Sequence, residues 1–133
     1  MSTPHLESNG IQQAITLLRT LYEELQRYRE EWRRYRDIQV QLLVELRARA
    51  RNADCQEHNG LMQRFSGTNV PLIPLADLRT GEVIERFPAT AEEISALDGN
   101  ESRRILEALG LPTEGVPLIV MRSMILQLAA GRA

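Results

Sequence analysis

From Ile11 onward, apolar residues recur in alternating steps of three and four. With Ile11 at position a of a heptad, the a positions are Ile11, Leu18, Leu25, Trp32, Gln39, Leu46 and Ala53. The d positions are Ala14, Leu21, Tyr28, Tyr35, Leu42 and Arg49, so only Gln39 and Arg49 are polar. The rhythm is unbroken for six heptads, beyond the three to four that mark a coiled coil. No proline or glycine falls between Ile11 and His58. Ser8 or Asn9 can cap the start and Gly60 suits a left-handed stop. The pattern predicts one helix over residues 10–59, roughly 70 Å long, after a disordered lead-in at 1–9.

The pattern then changes. Residues 60–70 read as a connector, with Leu61–Phe65 able to form another helical turn, and 71–133 as a small domain. VPLIPLADL is apolar but carries Pro71 and Pro74, and VIERF alternates Val83, Glu85 and Phe87. With Gly81 placed for positive φ between them, the pair predicts a β-hairpin. Thr90 with Glu93 forms a capping box for a short helix to about Leu97. Asp98 or Asn100 starts a second helix, ESRRILEAL, closed by Gly110 and Pro112. A third, LIVMRSMILQLAA, ends near Gly131. Its apolar residues face every side, which predicts a helix buried all round or completing an interface. The expected fold is mainly α: a long coiled-coil helix, then a small α+β domain of one hairpin and three short helices.

The seam needs a partner. Ile11, Leu18, Leu21, Leu25, Tyr28, Trp32, Tyr35, Leu42 and Leu46 would otherwise stand in water, and burial is worth roughly 1.5–3 kcal/mol per large apolar side chain. Nothing breaks the helix to let it fold back, so the partner is another chain or the C-terminal zone. Self-association is the expectation, as a homodimer, with a different protein as the variant. Gln39 would pair with its mate and help fix the register. Position g carries Glu24 and Glu31, and position e carries Arg29 and Arg36. In a parallel pair these form the inter-helix ion pairs Glu24–Arg29 and Glu31–Arg36, whereas an antiparallel pair opposes like charges. Glu23–Arg27, Glu30–Arg34 and Glu45–Arg49 are spaced for support within one helix. Ile15, Leu17, Ile38, Val40, Leu43 and Val44 widen the apolar stripe toward both ends.

Charge and composition narrow the function. The net charge is −2, all 16 basic residues are arginine, and lysine is absent. Aromatics interleaved with arginines over residues 21–43 suit a nucleic-acid grip, but the glutamates and Asp37 among them would repel phosphate. The heptad also places the aromatics in the seam. A nucleic-acid-binding dimer is therefore the alternative reading, not the leading one. The single cysteine, Cys55, rules out an internal disulfide and fits a reducing compartment. No secretory signal or membrane span is visible, which points to an intracellular protein, cytoplasmic or nuclear.

ILEALGLPTEGVPLIVMRSMILQL resembles the helix–loop–helix of SAP-type modules. Leu106, Leu109, Gly110, Leu111, Pro112 and Gly115 fall in that family's order, and the likeness covers about residues 91–128. The resemblance implies nucleic-acid binding through a basic residue soon after the second glycine. Pro117 and Leu118 stand there instead. The whole layout also resembles small, uncharacterised fungal coiled-coil proteins, which implies no activity.

Few groups suggest chemistry. Cys55 and His58 have a C-x-x-H spacing, but a closed zinc site needs four ligands, and the reading is of surface residues at a helix end. No metal site and no cofactor is expected. Arg103 and Arg104 sit at the start of a helix, the unfavourable end for cations, so they are candidates to contact a partner, a phosphate or a carboxylate within the fold. No phosphate loop, dinucleotide fingerprint or Ser-His-Asp set occurs. The expectation is a non-enzymatic scaffold or adaptor.

Overall fold

A computed structural model describes residues 4–131, with side chains from residue 8 onward. It contains four helices: α1 (Pro4–Ser66), α2 (Ala91–Ser95), α3 (Gly99–Ala108) and α4 (Leu118–Ala130). Contacts divide the chain into two units, Met1–Val40 and Gln41–Ala133. The described part of the first is helix throughout. The second contains the last turns of α1, the irregular segment 67–90 and the three short helices.

α1 outruns its predicted limits at both ends. Ser8 and Asn9 lie inside it and cap nothing, and Gly60 does not stop it. A Cβ at Gly60 would sit 2.7 Å from the Ala130 carbonyl oxygen. The glycine is therefore a point of close helix approach, and the helix consumes the first part of the expected connector.

The expected β-hairpin is absent, so the α+β assignment of the small domain is corrected to a helical one. Among the described residues there is one isolated antiparallel bridge, Ala76–Val83. The chain does reverse where the hairpin was placed: Asp77 N donates to Glu82 O at 2.7 Å and Ile84 N to Leu75 O at 2.9 Å. Gly81 takes φ 76° there, as its position required. Two causes keep the arms from becoming strands. Pro71 and Pro74 have no N–H to give, and the neighbouring N–H groups of Ile73 and Ala76 donate to the side chains of Asn59 and Asn52. In the second arm Arg86 adopts φ 51°, which ends any extended run. In this arm Ile84 is buried and Val83 is exposed.

α2 and α3 begin close to where their caps predict. Thr90 Oγ1 accepts from Glu93 N, and Glu93 Oε2 reaches back to Ala89 N at 2.7 Å. Asp98, not Asn100, caps α3 through Glu101 N at 2.7 Å. The core gathers Leu72, Leu75, Ile84, Ile94, Ile105, Leu106, Met121, Ile125 and Ala129, with Cys55 contributed by α1. α4 buries one stripe, Met121, Ile125 and Ala129. Ile119 and Val120 remain exposed, so the helix is not enclosed on all sides.

Candidate interaction surface

Four side-chain amides of α1 hold the small domain. Asn52 Nδ2 donates to Ala76 O at 2.9 Å while its Oδ1 accepts from Ala76 N at 2.7 Å. Asn59, seven residues on, repeats the pattern with Ile73: Nδ2 to O at 3.0 Å and N to Oδ1 at 2.8 Å. Each carboxamide thus pairs with one backbone residue as a neighbouring strand would. The Asn59 amide also donates to Ala129 O at 2.9 Å, and Gln56 donates to Gln127 O at 2.8 Å. The first satisfies a last-turn carbonyl of α4 that the helix cannot satisfy itself; the second adds to Gln127 O, which also accepts from Gly131 N at 2.7 Å. Gln41 adds a bond to Arg79 O.

In heptad terms the gripping residues Gln41, Val44, Ala48, Asn52, Cys55 and Asn59 occupy positions c, f and g. Ala48, Cys55 and Asn59 are buried there, and a Cβ on Gly81 would lie 3.3 Å from Val44 Cγ1. Leu42 and Leu46, at d and a, are more than half exposed in the same stretch. The domain therefore packs on one side of the last turns of α1 and leaves the seam positions Leu42 and Leu46 uncovered. Of the flanking apolar residues, Val44 is explained by this packing; Leu43 is not, since it stays exposed.

In the first unit every apolar seam residue from Ile11 to Tyr35 is exposed, Trp32 at 68% and Leu18 at 66%. Trp32 and Tyr35 touch edge to face, ring centroids 6.3 Å apart. Gln39 is exposed as well. Glu24, Arg29, Glu31 and Arg36 are exposed and enter no ion pair among the described residues. Of the three pairs expected within α1, only Glu45–Arg49 is formed, at 2.8 Å.

Arg103 and Arg104 part company. Arg103 points to solvent. Arg104 donates to Glu85 O at 2.6 Å and to Glu101 Oε2 at 2.6 Å, and Arg86 approaches the other oxygen of Glu101 at 3.6 Å. The hydrogen bond from Arg104 holds the Glu101 carboxyl below its ordinary range. Arg104 is a staple between α3 and the turn at residues 85–86, its partner a carboxylate of its own helix. Asp77 is a second staple. Desolvation pushes its carboxyl up, but hydrogen bonds from the Arg79 side chain and backbone outweigh this and leave it lowered.

Cys55 is buried in the core and His58 is exposed, which corrects the reading of both as surface residues. Among the described residues no three His, Cys, Asp or Glu side chains gather to hold a metal. A cleft of about 230 Å³ lies between α1 and the domain, lined by Arg49, Asn52, Gln56 and four leucines. Its amides are spent on backbone groups and Arg49 on Glu45.

The amide grip escaped sequence reasoning. Its one signal was the repetition of Asn52 and Asn59 at a seven-residue interval, off the seam, in a helix otherwise dominated by charge. No protein-family model, no curated protein and no solved structure matches the chain. No helix of the described residues is long and apolar enough to cross a membrane.

Proposed function

We propose that this chain is a non-enzymatic, self-associating scaffold or adaptor. α1 joins copies through its a/d face, and each copy carries residues 67–131 as an interaction module. The observation that supports this most directly is the exposure of the whole apolar heptad face on an unbroken helix, beside a domain that packs against other positions of that helix. Leaving so many leucines and aromatics in water forgoes several kcal/mol that association would recover. The lone buried thiol of Cys55 suits action inside the cell, where thiols stay reduced. The nucleic-acid alternative draws less support, because Arg104 is committed to Glu101 and to backbone carbonyls. Sedimentation equilibrium at micromolar concentration tests the proposal: an oligomer is expected, and a monomeric mass would end it.

A further inference from the structure

Resting on that reading, we infer that the occupant of the seam is a second copy of this chain, aligned parallel and without axial offset. The argument comes from the positions that flank the seam, not from the seam itself.

The e positions are Ile15, Tyr22, Arg29, Arg36 and Leu43; the g positions are Leu17, Glu24, Glu31, Ile38 and Glu45. In a parallel pair in register, each g meets the following e of the other helix. Leu17 then meets Tyr22 of the second copy, Glu24 meets Arg29, Glu31 meets Arg36, and Ile38 meets Leu43. Apolar meets apolar at both ends, and acid meets base in the middle. All eight of these side chains are exposed in the single chain. The same pattern gives Leu17, Ile38 and Leu43 of the widened stripe an apolar partner each.

Other alignments lose this match. In an antiparallel pair with Tyr28 opposite Trp32, Glu31 faces Glu31, Arg29 faces Arg29, Glu24 faces Ile38 and Leu17 faces Glu45. A parallel pair offset by one heptad sets Leu17 against Arg29 and Glu31 against Leu43. That offset also places Gln39 opposite Trp32 or Leu46, where its amide has no mate. In register, Gln39 meets Gln39. Ionic flanks, apolar flanks and the polar core layer thus select one alignment independently. The pattern is complementary to itself, which a helix built for a different chain has no need to be.

The test uses the full chain with Cys55→Ala and a single new cysteine, oxidised with copper–phenanthroline after the mass has been measured. Leu21→Cys alone is expected to give a disulfide-linked dimer, as is Gln39→Cys alone. An antiparallel arrangement would link Leu21→Cys only to Gln39→Cys in a mixture, and a one-heptad offset would link Leu21→Cys to Tyr28→Cys; either result overturns the inference while leaving self-association standing. A trimeric or tetrameric mass overturns the two-copy assignment. A monomeric mass overturns both this inference and the function on which it rests. Because cysteine in the seam can weaken pairing, a nitroxide at Gln13→Cys supplies a second reading outside the seam. A short inter-label distance is expected, against roughly 50 Å for the antiparallel alternative, given 1.5 Å rise per residue. Reversing both acids, Glu24→Arg with Glu31→Arg, is expected to weaken self-association at least about tenfold; unchanged association would refute the ionic match.

Discussion

Replacing Asn59 tests whether α1 holds the small domain by hydrogen bonds or by packing. The side chain is 1% exposed and makes three bonds, two with Ile73 and one with Ala129 O. Asn59→Ala strands the Ala129 carbonyl, which belongs to a fully buried residue. It also strands the N–H and C=O of Ile73, at the edge of the domain, where water can reach. A buried group left unpaired costs about 1–3 kcal/mol, and a wetter one less, so the gross loss is about 2–4 kcal/mol. Alanine regains up to about 0.7 kcal/mol in helix propensity, leaving a net destabilisation of about 1.5–3 kcal/mol. Asn59→Leu is the sharper variant, because it restores the volume but not the donors and acceptor. Hydrogen bonding predicts that leucine rescues little, whereas packing predicts recovery. Urea denaturation at fixed chain concentration measures both, since any association shifts the apparent stability. A leucine variant within about 0.5 kcal/mol of the parent would refute the amide grip as a stabilising device.

Three further outcomes are expected. Gly60→Ala, which in an ordinary helix interior would gain about 0.5–1 kcal/mol, should instead lower the denaturation midpoint, because its Cβ meets Ala130 O at 2.7 Å; a more stable variant would contradict that close approach. Glu101 has a folded-state pKa depressed by Arg104, so its contribution is present above the ordinary value of 4.5 and is lost as pH falls through the folded value. Glu101→Gln should therefore flatten the stability–pH curve between the folded value and 4.5, and an unchanged acid limb would show that the staple contributes nothing. Leu25→Asp should dissociate the oligomer, and Trp32 fluorescence should then become open to iodide; quenching as strong in the parent chain would mean that the tryptophan is not in an interface.

What could be read along the chain and what could not divide by the range of the interactions concerned. The heptad face of α1, the Thr90–Glu93 box, the choice of Asp98 or Asn100 to start α3, the left-handed Gly81 and the helix end at Gly131 all depend on residues within a turn or two of one another, so the order of the amino acids was enough to propose them. The register of a helix also fixes which side chains share a face, and the exposed seam was legible for that reason. The hairpin failed because the partners of its backbone lie elsewhere. Asn59 and Asn52 reach Ile73 and Ala76 across fourteen and twenty-four residues, and Asn59 reaches Ala129 across seventy. A backbone N–H carries no mark of which acceptor will satisfy it, and the alternation of Val83, Glu85 and Phe87 suits an irregular arm as well as a strand. Gly60 looked like a stop because glycine ends helices more often than it admits a neighbouring backbone. Only the packing of α4 across α1, which brings the Ala130 carbonyl against that position, decided between the two roles.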